Sequence, residues 1–133
     1  YFAARGIGSF KVREIDYNSD LEKIRNQAIK LPHGPLTENY TVVASKSHFS
    51  NETGDYIEQL KKDKGEVKVI SKGSSLKLCL VAEGEAHCYP RFGPTMEWDT
   101  AAGQAICSFA GKVVVDFETQ REMIYNQESL LNN

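Results

Sequence analysis

The sequence predicts an α/β fold, with a mostly parallel or mixed sheet and helices on both of its faces. The first observation is alternation: short β-branched segments, such as residues 40–44 and 67–71, are separated by segments whose apolar residues recur at helical spacing. The second is size, because 133 residues suit one domain with its own core. The third is composition, since 41% hydrophobic and 26% charged residues exclude a disordered chain.

The amino-terminal third begins with a predicted hairpin. Residues 1–4 and 9–12 are its strands, with two glycines between them for the turn. A capping-box pattern at Ser19 opens a helix, and Pro32 ends it. Residues 32–39 are a predicted loop. The apolar stripe of the helix consists of Leu21, Ile24, Ala28 and Leu31.

From residue 40 onwards, predicted strands and helices alternate. The segment after Trp98 is the clearest amphipathic helix, because its apolar residues recur every three or four positions. The segment that ends near Glu83 is apolar almost all round, which predicts deep burial. Residues 92–95 and the tail after 116 are predicted loops. The strands are 40–44, 67–71, 86–91 and 112–116, and the helices run from Ser50 or Asn51 to Gly65, from Gly73 to Glu83 and from Trp98 to Gly111.

Charge and apolar patterning exclude several classes of protein. Sixteen basic and eighteen acidic residues give a net charge of −2, which argues against binding to a nucleic acid polymer. No apolar run reaches the length of a transmembrane helix. Cys79 and Cys107 lie in apolar helical patterns, so we expect reduced core thiols. The chain opens on a strand without an initiator Met, and we expect that it was cut from a longer protein.

Three polar clusters follow predicted strands, where an α/β fold places its ligands. They are residues 45–48, 73–77 and 89–92, the last leading to Asp99. In the second cluster, glycine and serine amides at a helix start together with Lys77 suit a phosphate. The alternative, which the segment alone favours, is that Ser74 or Ser75 caps the helix and Lys77 extends towards solvent.

The remaining candidates also have two interpretations each. Asp99 lies in the first turn of a helix, where a carboxylate either caps the helix or binds Mg²⁺, and capping is the more common function. His48 is either a hydrogen-bond donor to a ligand, a base, or an ordinary loop residue. Arg91 either stacks on a base, binds a phosphate, or does neither.

Taken together, these motifs resemble the 3′(2′),5′-bisphosphate nucleotidases of the CysQ type, in the inositol monophosphatase superfamily. The Trp-Asp-x-Ala-Ala signature at 98–102 is superfamily-wide. Ser-Lys-Ser-His, Gly-Ser-Ser-Leu-Lys and Tyr-Pro-Arg-Phe narrow the resemblance to the nucleotidase branch. It covers nearly the whole chain but only the carboxyl-terminal half of a family member. The matching segments are 45–48, 73–77, 79–84, 89–95 and 98–103, with an opening Tyr-x-Ala-x-x-Gly at 1–6.

The resemblance implies the carboxyl-terminal half of the sugar-phosphatase-like αβαβα fold. It also implies a Mg²⁺-dependent phosphatase that removes the 3′-phosphate of adenosine 3′,5′-bisphosphate to give AMP, which clears a by-product of sulfate-donor metabolism. Asp99 then matches a catalytic carboxylate that binds both metal and substrate. His48, Ser74, Lys77 and Arg91 match positions that hold the nucleotide.

The sequence also departs from the family pattern. The Glu-Glu segment and the Asp-Pro-(Ile/Leu)-Asp-Gly-Thr motif that supply the other Mg²⁺ ligands are absent from these 133 residues, so we expect little phosphatase activity from the isolated chain. Residues 16–39 are longer and more helical than the family pattern. An inositol monophosphatase-like sugar phosphatase, a non-catalytic AMP- or phosphate-binding domain and a purely structural domain are the alternatives.

The resemblance further implies a single carboxyl-terminal domain over residues 1–133. Residues 1–12 would be a hairpin of the central sheet, and residues 40–133 the nucleotide-binding core. The expected partner is a small nucleotide, and a homodimer would cover apolar surface left by the cut. The expected location is the cytoplasm, with peripheral attachment to the inner membrane as the alternative.

Overall fold

A computed structural model describes residues 1–16, 18–33 and 38–132. Part of the predicted loop 32–39 therefore lies outside the described residues. Within them the chain is a mixed α/β structure of four helices and three small sheets, which confirms the predicted class. The strands are β1 (Phe2–Ala4), β2 (Gly8–Lys11), β3 (Ile29–Lys30), β4 (Tyr40–Ser45), β5 (Val67–Lys72), β6 (Thr95–Met96) and β7 (Leu131–Asn132), and the helices are α1 (Leu21–Gln27), α2 (Asn51–Lys64), α3 (Leu76–Glu83) and α4 (Glu97–Phe109).

The parallel part of the fold is the pair β4 and β5. Every residue of β4 after its first is buried, as its β-branched sequence predicts. The predicted strand 86–91 is wrong in extent, because among the described residues this segment forms only a single parallel bridge, between Cys88 and Val42. Two backbone hydrogen bonds support that bridge: the His87 amide donates to the Thr41 carbonyl at 2.7 Å, and the Val43 amide donates to the Cys88 carbonyl at 3.0 Å.

The α2 helix has the predicted ends. The Ser50 hydroxyl accepts from the Thr53 amide at the start, and Gly65, with φ of 82°, ends the helix. Ile57 and Leu60 are buried and pack with Val42 in one of the two core clusters. The apolar stripe of α2 therefore anchors the helix on the parallel strands.

The helices α3 and α4 pack against each other in the second core cluster. A Cβ atom placed on Gly103 of α4 would lie 2.2 Å from Cδ1 of Leu78, so the glycine permits this close approach. Cys107 is buried in the same cluster, and its thiol donates to the Leu78 carbonyl at 3.3 Å. Cys79 and Cys107 are free and buried, as predicted.

The predicted amino-terminal helix is wrong in two respects. Asp20, not Ser19, caps α1, since its carboxylate accepts from the Lys23 amide at 2.7 Å. The helix ends at Gln27, and Ile29–Lys30 instead pair with β2 to complete a three-stranded antiparallel sheet. No side chain of α1 is buried. Apolar residues at helical spacing therefore do not extend the helix to residues 29 and 30, which pair with β2 instead.

The carboxyl-terminal segment also differs from the prediction. Within the part of the chain that the structure describes, the predicted strand 112–116 forms only one antiparallel bridge, between Val115 and Glu122. The predicted loop at the end contains β7, which pairs with β6. Buried Glu97 receives hydrogen bonds from the amides of Asn126 and Gln127 at 2.8 and 3.0 Å. Polar contacts thus hold this segment on the start of α4. Among the described residues, no helix combines the length and apolar character needed to cross a membrane.

Candidate functional site

The three polar clusters leave the same edge of the parallel strands. Ser45 at the end of β4 is paired with Lys72 at the end of β5, and the Cys88 bridge runs parallel to both. The chain that follows each of these three segments therefore emerges in one direction. In an α/β fold, this edge is where ligands bind.

Lys77 is the most buried charged group of the site, with 5% of its surface exposed. Its Nζ donates to the Ser74 carbonyl at 2.6 Å and lies 5.0 Å from the centre of the Tyr89 ring. Burial lowers the pKa of Lys77, and the nearby charge of Arg91 lowers it further. The expectation that Lys77 extends towards solvent is therefore wrong.

The turn before α3 has an unusual backbone. Ser74 has φ of 58°, in the left-handed region that residues other than glycine seldom adopt. The side chain of Ser75, at the start of α3, makes no capping hydrogen bond. The predicted cap is thus not observed at Ser75. The turn instead directs a carbonyl group to the Lys77 ammonium.

Arg91 lies close to Lys77 and has spare hydrogen-bonding capacity. Its Nη2 donates to the Pro94 carbonyl at 3.2 Å. Its buried Nε has no hydrogen-bond partner among the described residues. Gly93 lets the guanidinium lie close, since a Cβ there would be 3.4 Å from Cζ of Arg91. A buried donor without a partner is costly unless an acceptor occupies the site.

Asp99 is exposed in the first turn of α4. One of its carboxylate oxygens, Oδ2, accepts from the Met96 amide at 2.9 Å, which is the capping function predicted as an alternative. Burial raises the pKa of Tyr89, Arg91 lowers it and Asp99 raises it, so both charges lie near that hydroxyl. Among the described residues, no group of three His, Cys, Asp or Glu side chains is arranged to hold a metal ion.

His48 is exposed at the end of the first polar cluster. Its Nδ1 lies 3.0 Å from the Ser47 hydroxyl and 3.4 Å from the Ser45 hydroxyl. Its backbone amide donates to the Ser45 hydroxyl at 3.2 Å. When a serine donates to Nδ1, the ring proton resides on Nε2, which can then donate to a ligand.

Sequence reasoning missed the supporting aromatic residues. Tyr89 lies under the Lys77 ammonium and packs against the α3–α4 core cluster. Phe92, three residues after Tyr89, contacts the rings of Tyr56 and Phe117 edge-on, with distances of 5.7 and 4.8 Å between the ring centres. The run Tyr-Pro-Arg-Phe at 89–92 was the signal in the sequence for Tyr89 and Phe92. It did not show which residues these two rings contact.

Comparison with known proteins gives one consistent result. The model of the inositol monophosphatase family matches residues 1–133. The crystal structure of CysQ from Bacteroides thetaiotaomicron, a bacterial member of that family, is similar with a TM-score of 0.87 and 44% identity, over 98% of this chain and 49% of that chain.

Curated relatives point the same way. The 3′(2′),5′-bisphosphate nucleotidase CysQ of Salmonella typhimurium is 52% identical over 91 residues, which is 68% of this chain and 35% of the relative. The protein of the same name from Aggregatibacter actinomycetemcomitans is 31% identical over 133 residues, 99% of this chain and 45% of the relative. The chain thus spans about a third to a half of the length of these relatives.

Proposed function

Because this chain belongs to the inositol monophosphatase family, we propose that it forms part of a Mg²⁺-dependent phosphatase. The reaction removes the 3′-phosphate of adenosine 3′,5′-bisphosphate and gives AMP and phosphate. One observation supports the proposal: the buried Lys77 ammonium lies 5.0 Å from the centre of the Tyr89 ring, with Arg91 near enough to lower the pKa of Lys77, and Asp99 acts on the same Tyr89. Two adjacent cations are stabilised when an anion such as a phosphate binds between them.

The contacts support a nucleotide-binding role for each of four residues in this proposal. Arg91 offers its unpartnered Nε and the rest of its guanidinium to a phosphate oxygen or to the base. Lys77 offers a fixed ammonium. His48 donates through Nε2 and Ser74 through its hydroxyl. These residues bind and orient the nucleotide.

Asp99 fits one ligand position for Mg²⁺ in this proposal. Its carboxylate is exposed, and one or two carboxylates together with substrate phosphates are a common Mg²⁺ ligand set. Asp99 would help to hold Mg²⁺, and the ion would supply activation of a water molecule and neutralisation of charge on the leaving oxygen. Because one carboxylate does not make a two-metal site, the isolated chain is expected to have little or no activity.

The first test measures phosphate release by residues 1–133 with adenosine 3′,5′-bisphosphate and Mg²⁺. The expected rate is at or near background, and turnover typical of enzymes, about 1 per second or more, would contradict this part of the proposal. In a protein that carries this chain together with the other metal ligands, we expect preference for the bisphosphate nucleotide over inositol phosphate, because Arg91 and Lys77 suit a nucleotide carrying two phosphates. A preference for inositol phosphate would favour the sugar phosphatase.

A second candidate is a non-catalytic domain that binds AMP or phosphate, favoured by the same pair of cations. Calorimetry with AMP on residues 1–133 tests binding directly. Binding is expected to weaken about tenfold or more in Arg91→Ala, which loses charge-assisted hydrogen bonds, and to weaken in His48→Ala. Arg25→Ala, an exposed arginine of α1, is the matched control and should bind as the wild type does. Absence of AMP binding would leave a structural domain.

The remaining proposals concern the domain organisation, the oligomeric state and the location of the protein. Residues 1–133 would be one carboxyl-terminal domain, with residues 1–12 as a hairpin of the central sheet and residues 40–133 as the nucleotide-binding core. A cytoplasmic location and a homodimer complete the proposal, and sedimentation velocity tests the dimer. Peripheral attachment to the inner membrane has no observation in its favour among the described residues.

A further inference from the structure

Tyr89 is an uncharged residue that lies among the charged residues of the candidate site, Lys77, Arg91 and Asp99. The Lys77 ammonium lies over its ring, 5.0 Å from the centre. The charges of Arg91 and Asp99 both act on its hydroxyl. Its ring also packs on the α3–α4 core cluster, which fixes its position.

Lys77 needs such a neighbour. Its side chain has four rotatable methylene groups, and Arg91 repels its ammonium. Burial deprives the ammonium of water. Two groups replace that hydration: the Ser74 carbonyl, held by a left-handed backbone, and the electron-rich face of the Tyr89 ring.

We infer that Tyr89 is a positioning residue: its ring face and the Ser74 carbonyl hold the Lys77 ammonium beside Arg91, so that two cations converge on one phosphate of the ligand. Tyr89 acts through Lys77 and does not need to touch the ligand. The inference rests on the proposed function only for the identity of the ligand. The two contacts that hold the Lys77 ammonium lie within this chain and do not depend on which ligand binds.

The first experiment is nuclear magnetic resonance of the lysine side chains in residues 1–133, with Lys77 assigned by comparison with Lys77→Arg. A ring face shifts protons above it upfield. We therefore expect Lys77 Hε signals upfield of those of exposed Lys62 in the wild type and in Tyr89→Phe, but not in Tyr89→Leu. The pKa of Lys77 should fall further in Tyr89→Leu, because leucine offers no negative ring face to the ammonium.

Tyr40→Leu is the matched control, since it removes a ring that lies 6.0 Å below the Lys64 ammonium instead. It should leave the Lys77 signals and pKa unchanged. Ordinary Lys77 shifts in the wild type, or an unchanged pKa in Tyr89→Leu, would overturn the inference. If Tyr89→Leu does not fold, the wild type and Tyr89→Phe decide the question, because both must show the upfield shift.

The second experiment is calorimetry with AMP on the same variants. Tyr89→Phe should bind within about twofold of the wild type and Tyr89→Leu about tenfold more weakly, the scale of a desolvated cation–π contact. Equal affinity in all three would refute the positioning role while the proposed function stands. If none binds AMP, the candidate of an AMP-binding domain within residues 1–133 fails, and the lysine signals still decide the role of Tyr89.

Discussion

The helices α1 and α2 both carry apolar residues at helical spacing, but only α2 uses them. Ile57 and Leu60 of α2 are buried against β4, and no side chain of α1 is buried, with Leu21 78% exposed. Both helices have a capping residue at the start, so local signals do not distinguish them. The difference is tertiary: α2 lies over a strand that offers an apolar face, and most helical stability comes from such burial.

The largest expected effect follows directly from this comparison. Ile57→Ala should lower the free energy of unfolding by about 3 kcal/mol, because it removes buried methyl groups and leaves a cavity. Leu21→Ala is the matched change in α1 and should cost less than about 0.5 kcal/mol. Urea unfolding of both variants, followed by circular dichroism, measures the difference. Similar losses would mean that α1 contributes to the core after all.

A smaller effect is expected in the carboxyl-terminal segment, which polar contacts hold in place. Each oxygen of Glu97 accepts one amide, from Asn126 or Gln127. Glu97→Gln keeps the shape but replaces one charged acceptor with a donor, so one of the two amides loses its hydrogen bond to the carboxylate. We expect a loss of about 2 kcal/mol and faster hydrogen exchange at residues 126 and 127.

The control for this change is Glu118→Gln, which removes the same charge from an exposed position in the same segment. It should leave both stability and hydrogen exchange unchanged. Equal effects of the two variants would assign the result to net charge and not to the two hydrogen bonds.

These contrasts explain how much of the fold was predictable. The elements that bury apolar residues, β4, α2, α3 and α4, match the sequence pattern closely, and so does β5, which pairs with β4. Two of the errors lie where weakly buried segments have competing partners. Residues 29–30 have helical neighbours but pair with β2, and residues 131–132 pair with β6 across a long separation. No local pattern encodes which distant strand edge is available.

The candidate site was predictable to a similar degree. The rule that ligands bind beyond the carboxyl ends of strands identified the segments that carry His48, Lys77 and Arg91, and the register of the strands brings those segments to one edge. The supporting contacts were not predictable. The ring under Lys77 and the amide capped by Asp99 depend on side-chain directions that only the folded chain defines.

The last effect on stability is absent at neutral pH. It concerns the thiol of Cys107, which is buried in the α3–α4 core cluster. Burial raises the pKa of Cys107 from 9.0 to about 11. Below pH 9 the thiol is protonated in both states and stability is unaffected. Between pH 9 and about 11 the unfolded chain releases this proton and the folded chain keeps it, so the free energy of unfolding falls as the pH rises. The free energy of unfolding should decline less steeply with pH in Cys107→Ala than in the wild type, because the variant lacks this thiol. Some decline remains, since other groups with a raised pKa, such as Tyr40, still contribute. Parallel curves for the two proteins, measured by urea unfolding at pH 8 to 11, would show that the Cys107 thiol does not titrate differently on folding.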